Sequence, residues 1–324
     1  MTQLTLAGRV ALVVALCALA ALPLLAGKFY VDLVARIMIM AVFAMSLDLL
    51  VGVTGLVSLG HAAFFGVASY LLVLAAPSQY AAVSLWTSLP LAVAASALLS
   101  LAIGALALRT RGVYFIMVTL AFSQMIYFVF HDTKVAGGSD GAYIYVKPDA
   151  SLGGWSPFNL GDGVQFYYAM LALLALTFAF LRMLLASRFG RALRGIRSNE
   201  QRMRALGFNT YAYKLAAFTI AGAIAGLAGY FAAVQFGFVN PEMLSWHQSA
   251  NVLLMVILGG MGNLVGAVIG AFALVLAQDL FSSLTKHWLL LMGAFVITVV
   301  VVLPGGLVGA GAAWREWRAK SRHG

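Results

Sequence analysis

WLLLMGAFVITVVVVLP, residues 288–304, contains no charged side chain and is bounded by a tryptophan and a proline. A helix that crosses a bilayer needs about 20 predominantly apolar residues. Working outward from this run, nine further stretches read the same way: 10–27, 33–51, 57–76, 88–108, 112–130, 164–185, 214–236, 247–259 and 264–284. The 247–259 run, centred on VLLMVIL, is short and reads as a half-helix or re-entrant piece. Composition agrees with a lipid-facing chain. Of 324 residues 63% are hydrophobic and only 9% charged, against about 25% charged in a soluble domain. Too little polar surface is available to cover a water-soluble fold of this length. The sequence therefore predicts an all-α, polytopic integral membrane protein with about ten transmembrane helices, residues 1–324 forming one domain.

The net charge of +10 does not signal nucleic acid, because the basic residues sit in short gaps between apolar runs. With the N-terminus in the cytoplasm, 15 of the 20 basic residues fall in inside loops or termini, as the positive-inside rule requires. They are Arg9; Arg109 and Arg111; Arg182, Arg188, Arg191, Arg194, Arg197, Arg202, Arg204 and Lys214; and Arg315, Arg318, Lys320 and Arg322. Both termini are expected in the cytoplasm, with 131–163 as the main external loop and 186–213 as the main internal one. The first stretch also resembles a signal peptide but runs on to Gly27, so a retained helix is expected. Five spans plus five would place the halves in inverted topology. The glycine-rich breaks after Gly52 and at Gly259–Asn263 fit that arrangement and equally fit close helix packing. The four-residue spacing of Gly222 with Gly226, and of Gly262, Gly266 and Gly270, also suits close packing. Cys17, the single cysteine, reads as a small packing residue.

No phosphate-binding loop is present: Gly27-Lys28 lacks both the upstream glycine and the following Ser or Thr. HExxH, paired CxxC and GxSxG are absent as well, so the chain is not expected to be an enzyme, and no cofactor or metal is expected. Polar groups within spans are costly in lipid and mark pathways, or else make interhelical hydrogen bonds. Thr54, Ser58, His61, Ser123, Gln124, Asn251 and Asn263 are the candidate substrate-pathway residues. In the internal loop, Phe189, Leu193, Ile196, Met203 and Leu206 are spaced by four, three, seven and three, placing them on one helical stripe. Arg191, Arg194, Arg197 and Glu200 lie mostly off that stripe, and Gly207 is placed to end the helix. A basic amphipathic helix is predicted there.

At these residues the chain resembles a known family, the permease subunits of branched-chain amino acid ABC importers, of the LivM type. The resemblance rests on GVTGLVSLGHAAFFG (52–66) with Tyr70, RTRGVYF (109–115), GGSDG (137–141), the 189–207 loop, GGMGN (259–263) with Gly266, and PGGL (304–307). The chain departs from the family's usual pattern in lacking an arginine at Gly305 or Gly306. The resemblance implies a permease of the bacterial inner membrane that pairs with a second homologous permease, two cytoplasmic ATP-binding subunits and a periplasmic solute-binding protein. For such a permease, residues 188–207 are expected to dock into a groove of the ATPase subunit, the apolar stripe supplying the contact and Arg191, Arg194, Arg197 and Glu200 setting its register by charge pairing. The implied cargo is a branched-chain amino acid or a related small polar solute such as urea, an amide or an aromatic acid. The alternative is an ion-coupled secondary carrier, disfavoured because Arg36, Asp48 and Asp279 sit near expected span ends.

Overall fold

The computed structural model describes residues 6–76, 82–151, 159–303 and 305–309. Each of the ten apolar stretches carries a helix. In chain order these are α1 (Leu6–Leu25), α2 (Lys28–Asp48), α3 (His61–Leu74), α4 (Leu85–Ala107), α5 (Val113–Asp132), α6 (Gly163–Ala186), α9 (Thr210–Phe236), α10 (Trp246–Gly259), α11 (Leu264–Leu284) and α12 (Trp288–Val302). Two short helices, α7 (Arg188–Ser198) and α8 (Glu200–Ala205), lie between α6 and α9. Seven segments are long and apolar enough to cross a membrane: Lys28–Thr54, α4, α5, α6, α9, α11 and Trp288–Gly309. Helices α3 and α10 have 14 residues each. The C-terminal basic cluster and Pro304 lie outside the described residues.

The longest departure from the expected boundaries is at α2. It starts at Lys28 and continues through a π-helical turn, Leu49–Thr54, that ends on Gly55 at φ 75°. Arg36 therefore lies eight residues, about 12 Å, inside the helix rather than at its end. Asp48 is likewise interior. This removes part of the positional argument against a secondary carrier. Residues 57–60, expected as the start of the third span, are not helical; α3 begins at His61. Every residue from Ile37 to Thr54 is buried, which makes α2 the central helix, apolar at nearly every one of these positions as such a place demands, with Ser46, Asp48 and Thr54 as its buried polar groups. It is packed by α6, α9, α10 and α11, while α3, α4 and α9 pack against one another. In α12 only Met292 is buried, so that helix is peripheral.

Small residues set the close approaches. Gly222 and Gly226 on α9 face Ser100 and Ser96 of α4. A Cβ at Gly270 on α11 would collide with the carbonyl oxygen of Met255 on α10. The spaced glycines thus pack helix against helix. Proline supplies another join. Pro23 has no N–H to offer, so the Leu19 carbonyl four residues earlier is released. Tyr167 of α6 donates its hydroxyl to that oxygen at 2.7 Å, and Tyr168 reaches Ala20 O at 3.1 Å.

The α7–α8 end of the bundle gathers the basic residues, and is called the basic end below. At the opposite end, β1 (Ala142–Tyr143) pairs antiparallel with β2 (Phe238–Val239), tying the α5–α6 connection to the segment after α9. That segment continues as a 3-10 turn, Pro241–Leu244, packed against α3 and α5.

Candidate functional site

At the basic end a cleft of about 490 Å³ lies among the π-turn of α2, the α4–α5 turn, α7, α8 and the start of α9. Thr54, Arg109, Arg111, Arg197, Arg204 and Lys214 line it, with Glu200 as the sole acidic residue in the lining. Glu200 clamps α8 to α9. Its Oε2 accepts from Lys214 Nζ at 2.7 Å, and its Oε1 from Arg204 Nη2 at 2.6 Å and Thr210 Oγ1 at 3.1 Å. Burial pushes the Glu200 carboxyl up, but the Lys214 ammonium and the Arg204 and Thr210 hydrogen bonds outweigh it and hold the group down to about 2.

The internal segment differs from the single amphipathic helix expected. It breaks at Asn199, whose side chain caps α8 by accepting from Arg202 N. The predicted apolar stripe does not form a free face. Leu193 and Ile196 are buried within the chain itself, Phe189 is half-buried and stacks on Tyr213 with ring centroids 5.5 Å apart, and only Leu206 is largely exposed, at 66%. Leu193 and Ile196 therefore anchor α7 on the bundle and cannot insert into a partner. The arginines serve the helix ends beneath them. Arg191 donates to Ala186 O at 2.8 Å and Arg194 to Leu185 O at 2.9 Å, satisfying carbonyls that the end of α6 leaves without helical partners. Arg197 reaches further and donates to Gly52 O in the π-turn of α2. Gly207, at φ 84°, ends α8 as expected. Gly52 is itself a junction: a Cβ there would collide with Asp48 and with the backbone of Gly262, whose N–H donates to Asp48 Oδ1 at 2.7 Å.

The structure separates the candidate pathway residues. Ser58 and His61 are completely buried and hold the broken start of α3. Ser58 Oγ accepts from Gly60 N. Ser46 Oγ lies 2.6 Å from Phe43 O and 2.8 Å from His61 Nε2, linking α2 to the start of α3. Ser123 donates to Leu244 O at 3.1 Å, tying α5 to the 3-10 turn. Asn263 caps α11 by accepting from Val265 N. Gln124 keeps a buried Nε2 without a partner. Thr54 lines the basic cleft but donates to Leu50 O.

Asn251 alone of these lines a second recess, of about 230 Å³, formed by α2, the segment after α9, α10 and α11. Arg36, Glu242, Gln248 and Gln278 share that lining with Met40, Met243 and Met255. Sequence reasoning placed Arg36 near a span end rather than in a site, and did not weigh Glu242. A charge inside an apolar run was the available signal for Arg36, masked by placing the span start five residues late. Glu242 sits in a connection whose approach to α2 no local pattern announces.

The family described as branched-chain amino acid transport system, permease component, matches residues 29–309. The high-affinity branched-chain amino acid transport system permease protein LivM of Salmonella typhimurium is 32% identical over 305 residues, covering 88% of this chain and 71% of that protein. LivM of Escherichia coli K12 is 32% identical over 315 residues, covering 91% and 74%. The high-affinity branched-chain amino acid transport system permease protein LivH of E. coli K12 is 32% identical over 150 residues, covering 46% and 47%. No solved structure matches.

Proposed function

The chain belongs to the branched-chain amino acid transport system permease family, and from that premise we propose how it works within an ABC importer of the bacterial inner membrane. It is a transport subunit rather than a catalyst. It pairs with a second homologous permease, receives cargo from a periplasmic solute-binding protein and is driven by two cytoplasmic ATP-binding subunits. Its cargo is a branched-chain amino acid, the solute named for both LivM relatives. The basic end faces the cytoplasm by the positive-inside rule, which makes 131–163 external and 186–213 internal. All ten apolar helices contribute to crossing the bilayer. The halves are related by inversion: the 27-residue segment Lys28–Thr54 followed by 14-residue α3 is matched by 27-residue α9 followed by 14-residue α10. Each pair is joined by an irregular segment, tolerated at membrane depth only when buried in protein or lining a cavity.

One observation carries the coupling reading. The α7–α8 segment is bonded at its central junction to two membrane helices, through Arg197 to Gly52 of α2 and through Glu200 to Lys214 of α9. Force applied to its exposed side, including Leu206, is thereby delivered to the central helix and, through Gly52, to Gly262 at the α10–α11 turn. Docking of an ATPase on this surface tests the reading: the chain should co-purify with an ATP-binding subunit and lose it when Leu206 is replaced by Asp. Retention of the ATPase by that variant, with unchanged transport, would remove residues 188–207 from the coupling role.

A further inference from the structure

We propose that the recess between α2 and α10 is a transit site for a zwitterionic α-amino acid, in which Arg36 takes the carboxylate, Glu242 the ammonium, and Met40, Met243 and Met255 the aliphatic side chain. This rests on the importer reading and gives its cargo a place in the chain. Arg36 lies on α2 about 12 Å from the first residue of that helix, on an exposed position of a membrane-spanning segment. An arginine facing hydrocarbon there is costly, and such residues face water-filled passages or polar partners instead. Among the described residues Arg36 makes no ion pair or hydrogen bond. Its guanidinium lies over the Phe236 ring, 5.5 Å from the centroid, which orients the group while leaving its in-plane donors open to a carboxylate. Glu242, in the Pro241–Leu244 turn, is exposed on the same recess and also lacks an ion-pair partner among the described residues. Two opposite charges share one small chamber without neutralising each other.

The rest of the lining fits the same cargo. Asn251 adds an amide to the lining. At about 230 Å³ the chamber falls below the roughly 300–1,000 Å³ of pockets for drug-sized ligands, as suits a single amino acid. Methionine is unbranched and re-packs readily, so this wall accepts several aliphatic shapes rather than one. Urea and amides bring neither charge, and an aromatic acid without an amino group leaves Glu242 unanswered. A site whose polar groups go unpaired with the wrong solute rejects it.

The test uses the complete importer, with its partner permease, ATPases and binding protein, in proteoliposomes supplied with labelled leucine and ATP. Arg36→Gln and Glu242→Gln should each lower initial uptake at least tenfold while the complex still assembles and hydrolyses ATP in response to loaded binding protein. Arg36→Lys and Glu242→Asp, which keep the charge, should retain at least a third of the rate. A second measurement needs no variant: a diazirine analogue of leucine, photolysed in the vanadate-arrested wild-type complex, should label the recess methionines and be displaced by leucine. If wild-type uptake proceeds but both Gln variants match it within twofold, the site assignment is overturned and the importer reading stands. Equal loss in the charge-keeping variants, or labelling confined to other parts of the chain, overturns it too. Absence of ATP-dependent leucine uptake by the wild type would instead bring down the importer reading, and the transit site with it.

Discussion

Replacing Glu200 by Gln should release α8 from α9. The change keeps the side chain's shape but removes the charge that Lys214 and Arg204 surround at 2.7 and 2.6 Å. In the folded chain the carboxyl is held at about 2 instead of 4.5. At about 1.4 kcal/mol per unit, that difference corresponds to about 3 kcal/mol in favour of the ionised, folded form. The carboxylate side chain is 25% exposed and Arg204 51%, so solvent screening reduces the figure to about 1–2 kcal/mol. A depressed acid stabilises the fold above its unfolded value and loses that contribution as pH falls through its folded value. The wild type should therefore lose local stability on acidification from pH 4.5 towards 2, and Glu200→Gln should be flat across that window. Hydrogen exchange followed by mass spectrometry reads the effect directly. At pH 7, amides of residues 200–206 should exchange about tenfold faster in the variant, since about 1.4 kcal/mol is a factor of ten. Unchanged exchange there, with the same acid dependence as wild type, would refute the clamp.

Further outcomes follow from the same contacts. Leu193→Ala with Ile196→Ala deletes two buried anchors, each worth about 2–5 kcal/mol, and should free α7, seen as new proteolytic cleavage near residues 188–198 in an otherwise inserted chain; resistance equal to wild type would show that α7 is held elsewhere. Tyr167→Phe leaves the Leu19 carbonyl without its donor, at a cost of about 1–3 kcal/mol, and should lower the melting temperature. Adding Pro23→Ala should recover most of that loss, because residue 23 then supplies the missing N–H; additive losses would contradict the account. In a Cys17→Ser background, single cysteines at Ser139 and Ser198, both exposed, should react with impermeant thiol reagents from opposite sides of the membrane, and labelling from one side would defeat the topology.

The helical segments were legible because lipid imposes a length and a composition on any chain that crosses it. WLLLMGAFVITVVVVLP announces a helix without reference to its neighbours. Gly207 was legible for a similar local reason, since a helix stop needs a left-handed residue where it falls. What the sequence could not reveal was which face of a helix meets which neighbour. Leu193 and Ile196 show a stripe, but a stripe that docks on a partner and one that docks on its own bundle have the same spacing. His61 and Ser58 looked like pathway groups because polar residues in spans usually are. In this structure both are buried at a broken helix start that only long-range packing creates, and His61 keeps its Nδ1 without a partner. Arg36 and Glu242 are separated by more than two hundred residues of chain, and their meeting in one recess follows from how α10 and the turn before it fold back on α2. Seeing the π-turn would have required knowing that Asp48, Gly52 and Gly262 meet.

The central claim is that this chain passes its cargo inward under the power of separate ATPase subunits. Its most direct test is leucine uptake by proteoliposomes holding the complete importer and loaded binding protein, with ATP and with imposed proton or sodium gradients supplied separately. The account predicts uptake that requires ATP, ceases when an ATPase subunit is omitted and ignores both gradients. Uptake by the permease chains alone in response to a proton or sodium gradient would contradict it and identify an ion-coupled carrier.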